Sequence, residues 1–426
     1  MNSVQAGEAL DIETWRMDNP IAGNSAFNPQ ICQHPSTIPM NRRVASLRHC
    51  FTALALDMVN CFEIELAPTF SLNLPSAIFP DSSLPFAIDE ALLRSLQGIW
   101  DSGNKMLISP KGLTEPLVKD WLSSIANKLA SVTGYNPTRA WSVSFVRSPE
   151  EVNWSPDVIL TSNPIDPLSW AYVKAVVVVT SHSKLHTEMR RAISYQAYHI
   201  FSAQPSRRFV PFLAICSKTI YFVVTDREGQ VVSEIHYLQR EEYHALNTLR
   251  IVTALVFATD ETIGYDPTVT TLPNGNVRSI IAGDELYKVQ LAVHVVRSVV
   301  GRSTRVWSAS HAEHGLVIVK DGWIHEPRAK AEEEYLKVLQ GIRGIPRLIW
   351  AGTVQIHNPG ASSRQQFLDD NTAWIRHGFS DGHAYRIHRR LVLSPVGQKL
   401  SLFTSLGELV AVLRDVAVGK SMTIFM

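Results

Sequence analysis

Three kinds of residue in the stretch 299–334 could do phosphate chemistry together. Gly301 sits in Val299-Val-Gly-Arg-Ser-Thr-Arg-Val306, a turn whose backbone amides could approach an anion. Lys320 closes the alternating apolar run Leu316-Val-Ile-Val-Lys320, so it reads as a lysine at a strand end. Glu332, Glu333 and Glu334 open a helical pattern that continues to Leu339. An ammonium can neutralise phosphate oxygens, and a helix carboxylate can fix its rotamer. Helical spacing selects Glu332, because Glu332, Leu336 and Leu339 fall at i, i+4 and i+7 and share the inward face. Glu333 and Glu334 then turn toward solvent. The plainer alternatives stay open: a lysine at a strand end is most often solvated, and three glutamates at a helix start can simply favour the macrodipole.

These residues need a scaffold, and the sequence divides accordingly. Residues 1–40, rich in Asn, Pro, Ser and Gln, read as a flexible leader, and 41–150 as a mainly helical N-terminal region. Within it Met40–Leu66, Ile88–Ile99 and Glu115–Val132 are predicted helices; in the last, Leu117, Trp121, Ile125 and Leu129 recur every four residues. Residues 151–262 form an α/β unit. Ala175-Val-Val-Val-Val-Thr180 is a buried strand, His186–Ala203 a helix, Arg208–Ile215 and Thr219–Thr225 strands, Asp226-Arg-Glu-Gly229 a hairpin turn, and Glu241–Ala258 a helix. From Glu285 strands dominate. The fold class is therefore α+β, with a helical and α/β N-terminal region ahead of an antiparallel sheet carrying one helix.

Composition narrows the function. The chain has 426 residues, 45% hydrophobic and 19% charged, with a net charge of +1. That gives no global electrostatic case for nucleic acid or an anionic membrane. Four cysteines without a C-x-x-C pair, and a polar start without a signal peptide, fit an intracellular protein, cytoplasmic or nuclear.

Several fragments imitate other chemistries. Gly419-Lys420-Ser421 resembles the tail of a P-loop, but the earlier glycine is replaced by Arg414. Pro156-Asp157 before a buried strand suggests an endonuclease-like metal site, yet the strand offers only Val, Thr and Ser where an acid and a lysine are needed. His182 and His186 are i, i+4 apart without a third ligand. Arg207-Arg208 and Arg190-Arg191 make a basic patch, expected to be solvated or to pack over its methylene stems, with a partner phosphate as the alternative. No metal site is expected.

The order of the short motifs points to a family. Pro156-Asp157, Ala203-Gln-Pro-Ser-Arg-Arg-Phe-Val210, Asp226-Arg-Glu-Gly229, Gly264-Tyr-Asp-Pro-Thr268, Gly301-Arg-Ser-Thr-Arg-Val306, Val319-Lys320 and Leu409–Asp415 occur in one sequence. Over roughly 150–418 the chain resembles the fungal-type protein kinases. The resemblance implies ATP- and magnesium-dependent phosphorylation of protein Ser/Thr by complete members. It places Gly301, Ser303 and Val306 in a degenerate phosphate loop, Lys320 as the phosphate lysine and Glu332 as its partner. Residues 263–418 would be a kinase-like small lobe and the start of the large lobe. Ser303 stands where the family has a second glycine. The H-x-D catalytic segment and the metal-binding aspartate expected after Leu409–Asp415 do not occur in this sequence; His388-Arg-Arg390, Arg414-Asp415 and Asp381-Gly382 do not replace them. The expectation is a chain truncated before the catalytic loop, without a large lobe and with an aberrant tail at 419–426. Either the gene is degenerate or its reading runs through a splice boundary near Val418. Such a chain would be catalytically incompetent and would bind no cofactor tightly. An alternative is a binding or scaffold module acting through the α/β region at 150–260 or the exposed small lobe, where a protein partner would cover apolar surface at Leu402, Phe403 and Leu406.

Overall fold

The computed structural model describes residues 69–71, 73–143, 156–162, 169–185, 187–272, 274–342, 344–358, 366–376, 385–397 and 402–424, the last nine as backbone. The expected leader, the predicted helix at 40–66, His186 and Asp381-Gly382 lie outside these residues.

The elements run β1 (Thr69–Ser71), α1 (Leu74–Ile78), α2 (Glu90–Ser95), β2 (Trp100–Asp101), β3 (Met106–Leu107), α3 (Glu115–Thr133), β4 (Ala140–Ser142), β5 (Val158–Thr161), β6 (Val173–Thr180), α4 (Thr187–Ala203), β7 (Val210–Cys216), β8 (Thr219–Asp226), β9 (Gly229–Ser233), β10 (His236–Tyr237) and α5 (Glu242–Phe257). They continue with β11 (Val269–Thr271), β12 (Val277–Ala282), β13 (Glu285–Val295), β14 (Arg305–His311), β15 (Gly315–His325), α6 (Ala331–Val338), β16 (Arg347–Thr353), β17 (Gln355–His357), β18 (Phe367–Asp369), β19 (Arg386–Ser394) and α7 (Leu406–Ile424). The chain is mixed α+β.

The first sheet has the order β1-β9-β8-β7-β6-β5-β4, with β10 added against β8. Both of its faces are covered, which is why its strands read as unbroken apolar runs. In β7, Leu213 and Ile215 enter a core shared with α3 and α5, while Val210, Phe212 and Ala214 enter another under α4. Helix α4 buries Met189, Ile193, Ala197, Ile200 and Phe201, the face expected from spacing. Helix α3 buries Trp121, Ile125 and Leu129, but the fourth residue of that series, Leu117, is exposed, and Val118, Leu122 and Ala126 complete the face. The predicted helix at 88–99 is only six residues long, capped at its start by the Asp89 side chain, which accepts the Leu92 amide at 2.8 Å.

The second sheet is antiparallel, in the order β11-β12-β13-β14-β15-β19-β16. Val317, Val319, Trp307, Tyr287 and Val392 point to one side and form its core. Lys320 lies mid-strand rather than at a strand end, because β15 continues to His325.

Between the two sheets lies a polar seam. Arg208 pairs with Asp370 at 3.0 Å, Arg386 with Glu228 at 2.9 Å, and Arg376 with Asp226. Arg207 and Arg208 are therefore not a solvated patch. Arg207 donates to the Ile263 carbonyl at 2.6 Å and lies 3.9 Å above the Tyr265 ring. Gly264, at φ +104°, lets the chain pass so close that a Cβ there would lie 2.3 Å from the Phe209 carbonyl oxygen.

Candidate functional site

Cross-strand register places the site. Lys320 lies opposite Val306 on β14 and Leu391 on β19; Ile318 lies opposite Ser308 and Leu393. Directly opposed and alternate residues share a sheet face, so Lys320 stands on a shelf of Val306, Ile318, Leu391 and Leu393. Val317 and Val319 point the other way into the core. Val306, Ile318 and Leu393 are half-buried and Leu391 is buried, and this apolar shelf carries one ammonium at its edge.

Glu332 reaches that ammonium from α6. Its Oε1 accepts a hydrogen bond from Lys320 Nζ at 2.5 Å, and both side chains remain partly open to solvent. Glu332, chosen by helical spacing, and Lys320 are thus brought together. Glu333 does not face solvent as spacing had suggested. It accepts from Arg389 on β19 and from Lys337 one turn on.

The Gly301 turn is held from below. Gly301 has φ +105°, and its N–H donates to the Arg227 carbonyl at 3.0 Å, so the amide that would approach a phosphate is already engaged. Ser303 adopts φ +42°, a left-handed conformation that favours glycine, and its buried hydroxyl donates to the Ser298 carbonyl at 3.0 Å. Arg227, fully buried, donates through Nη1 to Ser298 O at 2.8 Å and Ser303 Oγ at 3.1 Å, with its guanidinium 3.7 Å above the Phe201 ring. Burial, then the nearby Arg305 charge, hold the Arg227 guanidinium well below its ordinary value. Arg305 is also buried and donates to the Phe201 carbonyl at 2.6 Å; burial lowers it to about 10. Val299 joins the core under α4.

Directly behind Lys320 lies a buried charge cluster that sequence reasoning missed. Asp321 takes Arg390 Nε at 2.6 Å and Nη2 at 2.7 Å; the same Nη2 donates to Asp266 at 3.0 Å. Arg390 Nη1 donates to Thr268 Oγ1 at 2.7 Å. His388 stacks on Trp323, lies 3.0 Å from Asp370 and 3.5 Å from Asp321. Burial opposes the charge on Asp321, but Arg390 and then His388 hold its carboxyl well below the usual carboxylate range. Burial likewise opposes charging of His388, yet its hydrogen bonds to Asp321 and Asp370 and their charges raise it to about 9. Asp266, Asp321 and His388 are the described residues close enough to share a metal ion. Arg390 already bonds both carboxylates, so a guanidinium takes the role a cation would have. The available signal was the run His388-Arg-Arg390 inside a strand, since charged residues at a strand centre are rarely buried unless paired.

The imitations resolve structurally. Asp157 accepts the Val179 amide at 2.7 Å. Gly419-Lys420-Ser421 lies within the helical backbone of α7, which has no loop to cradle a phosphate. No helix among the described residues is long and apolar enough to cross a membrane.

Comparison with curated proteins and with solved structures finds no match. The sequence model described as "Fungal protein kinase" matches residues 155–422, which contain the seam, the Gly301 turn, Lys320 and Glu332. The chain therefore belongs to the fungal protein kinase family.

Proposed function

We propose that residues 263–418 form a kinase-type small lobe whose sheet receives a nucleotide, its base on the shelf of Val306, Ile318, Leu391 and Leu393 and its phosphates at Lys320. The observation that carries this reading is the 2.5 Å Lys320–Glu332 pair at the edge of that shelf. Glu332 fixes the lysine rotamer, and the ammonium offsets phosphate charge. The hairpin, lysine strand, glutamate helix and returning strand follow the order the family resemblance implies. Gly301 and Ser303 mark the phosphate turn in a pinned form.

Magnesium finds no ligand set among the described residues here. Glu332 is taken by Lys320, and Asp321 points away from the shelf into its bonds with Arg390. The 426-residue sequence also contributes no H-x-D base. We read this chain as weakly nucleotide-binding and unable to transfer phosphate by itself, in an intracellular setting. ATP titration and a γ-phosphate transfer assay test both halves. Weak saturable binding that Lys320→Ala abolishes, with no transfer, is expected. Phosphorylation that disappears in Lys320→Ala would overturn the inactive reading, and no nucleotide response at all would overturn the binding reading.

A second reading, a non-catalytic scaffold, is favoured by one observation. Leu402, Phe403 and Leu406, with Val410 and Leu413 further along α7, are all exposed. Such an apolar run suits a protein partner. A monodisperse monomer that captures no partner would count against it.

A further inference from the structure

Helix α6 presents Glu332, yet little apolar packing fixes it. None of its eight residues is fully buried, and Tyr335 and Val338 are each 62% exposed. A helix this short has little stability of its own and takes its place from tertiary contacts. Two of those contacts are ion pairs, and they are unequal. Lys320–Glu332 is partly solvated, where a pair contributes little. Glu333 instead meets Arg389, which is nearly buried at the centre of β19, opposite Gly322 on β15 and Thr353 on β16. Arg389 Nη1 donates to Thr353 Oγ1 at 3.0 Å, so the guanidinium is oriented by the sheet. Its Nη2 donates to Glu333, whose other oxygen is held by Lys337. A buried guanidinium left without a carboxylate is costly, which makes this the firmer attachment. Burial opposes the charge on Glu333, but Lys337 and Arg389 hold its carboxyl below the ordinary value. Successive helix residues are rotated by about 100°, so Glu332 and Glu333 reach the neighbouring strands β15 and β19 from one turn.

We propose that Arg389 is a positioning residue for the Lys320–Glu332 pair: by anchoring Glu333 it sets the first turn of α6 where Glu332 meets Lys320. The importance of this rests on the nucleotide reading above, but the geometry can be tested without nucleotide.

The test follows acylation of Lys320 in the full chain by an amine-selective reagent, read by peptide mass spectrometry, with the unfolding midpoint measured alongside. An ammonium held by a carboxylate acylates more slowly than a free one. Glu332→Gln sets the reference, an expected rise of about two- to fivefold, the span a partly exposed ion pair allows. Arg389→Met, which touches neither partner, is expected to give the same rise, and adding Glu332→Gln should raise it no further. Arg389→Lys, without the planar fork, restores only part of the protection. Should Arg389→Met fold poorly, Glu333→Gln breaks the same link from the helix side and is expected to match it. An unchanged Lys320 rate in folded Arg389→Met or in Glu333→Gln overturns the proposal, even if the midpoint falls, and so does an unchanged rate in Glu332→Gln. ATP titration of the same variants separates the two ideas. Freed Lys320 with no ATP binding by any chain, wild type included, leaves the anchor standing and removes the nucleotide reading.

Discussion

Arg390→Met is the sharpest test of what holds the lysine strand in place. Arg390 is 1% exposed and bonds Asp321, Asp266, Thr268 and the Ile281 carbonyl, the last at 2.5 Å. Methionine keeps most of the side-chain volume but leaves two buried carboxylates facing each other, with only His388 to offset them. Removing one partner from a buried ion pair costs about 3–5 kcal/mol, because the stranded charge has no solvent. A domain's whole stability is about 5–15 kcal/mol, so the loss should be plain. Urea unfolding at pH 7, followed by tryptophan fluorescence, reads it as a lower midpoint at similar slope. Arg94→Met is the control. Its partner is Glu90, one helical turn away and well exposed, and the expected cost is about 0.5 kcal/mol or less. Adding Asp321→Asn to Arg390→Met should recover part of the loss, since one stranded charge is gone, with a coupling of about 0.5–3 kcal/mol. If Arg390→Met costs no more than Arg94→Met, or the double variant is simply additive, the cluster is not a mutually dependent unit and the reasoning fails.

Two further outcomes follow from the same geometry. The folded protein raises His388 to about 9, so its contribution is fully present below the unfolded value near 6.5 and is lost as pH rises through about 9. Unfolding free energy should fall across that window by on the order of 3 kcal/mol, and His388→Gln should flatten the slope; a flat wild-type profile contradicts the assignment. Gly264→Ala should cost about 2 kcal/mol or more in urea unfolding, from left-handed strain plus the clash with the Phe209 carbonyl. Gly134→Ala, at φ +76° with open space around it, should cost only about 1–2 kcal/mol, and equal losses would show that the close approach does not matter.

Local pattern made much of this molecule legible. Helix α4 and strands β6 to β8 follow from periodicity, because each buries a continuous face or both faces. The Lys320–Glu332 contact was legible in part: helical spacing singles out Glu332, whereas Lys320 reads as a strand end and lies mid-strand. Glu333 was not. Its exposure depends on which strand lies beside β15, and β19 is distant in sequence. Arg208 and Asp370 are 162 positions apart, so nothing local marks them as partners. The pinned state of the Gly301 turn was hidden for the same reason, since Arg227 arrives from another sheet. Ser303, which the resemblance puts at a glycine position, has a positive φ of +42°.

Apart from the Glu333–Arg389 pair, the hidden contacts share one location. Arg207-Arg208, Asp226-Arg-Glu-Gly229 and Gly264-Tyr-Asp-Pro-Thr268 lie close together in the fold. Their side chains fill the seam where Arg386 of β19, the Gly301 turn ahead of β14, and Asp370 and Arg376 of the segment between β18 and β19 meet the first sheet. Arg208, Asp226 and Glu228 have their charged partners, Asp370, Arg376 and Arg386, across the seam, and Arg227 reaches the Ser298 carbonyl of the Gly301 turn. Neither sheet can therefore bury that edge alone without stranding charges, at a cost of several kcal/mol for each. Hydrophobic surfaces could slide past one another at similar energy, but paired guanidinium and carboxylate groups tolerate little displacement. The seam thus fixes how the lysine strand and the Gly301 turn sit relative to the first sheet. The placement of Lys320 depends on residues more than one hundred positions upstream of it, such as Arg208, as well as on its own strand.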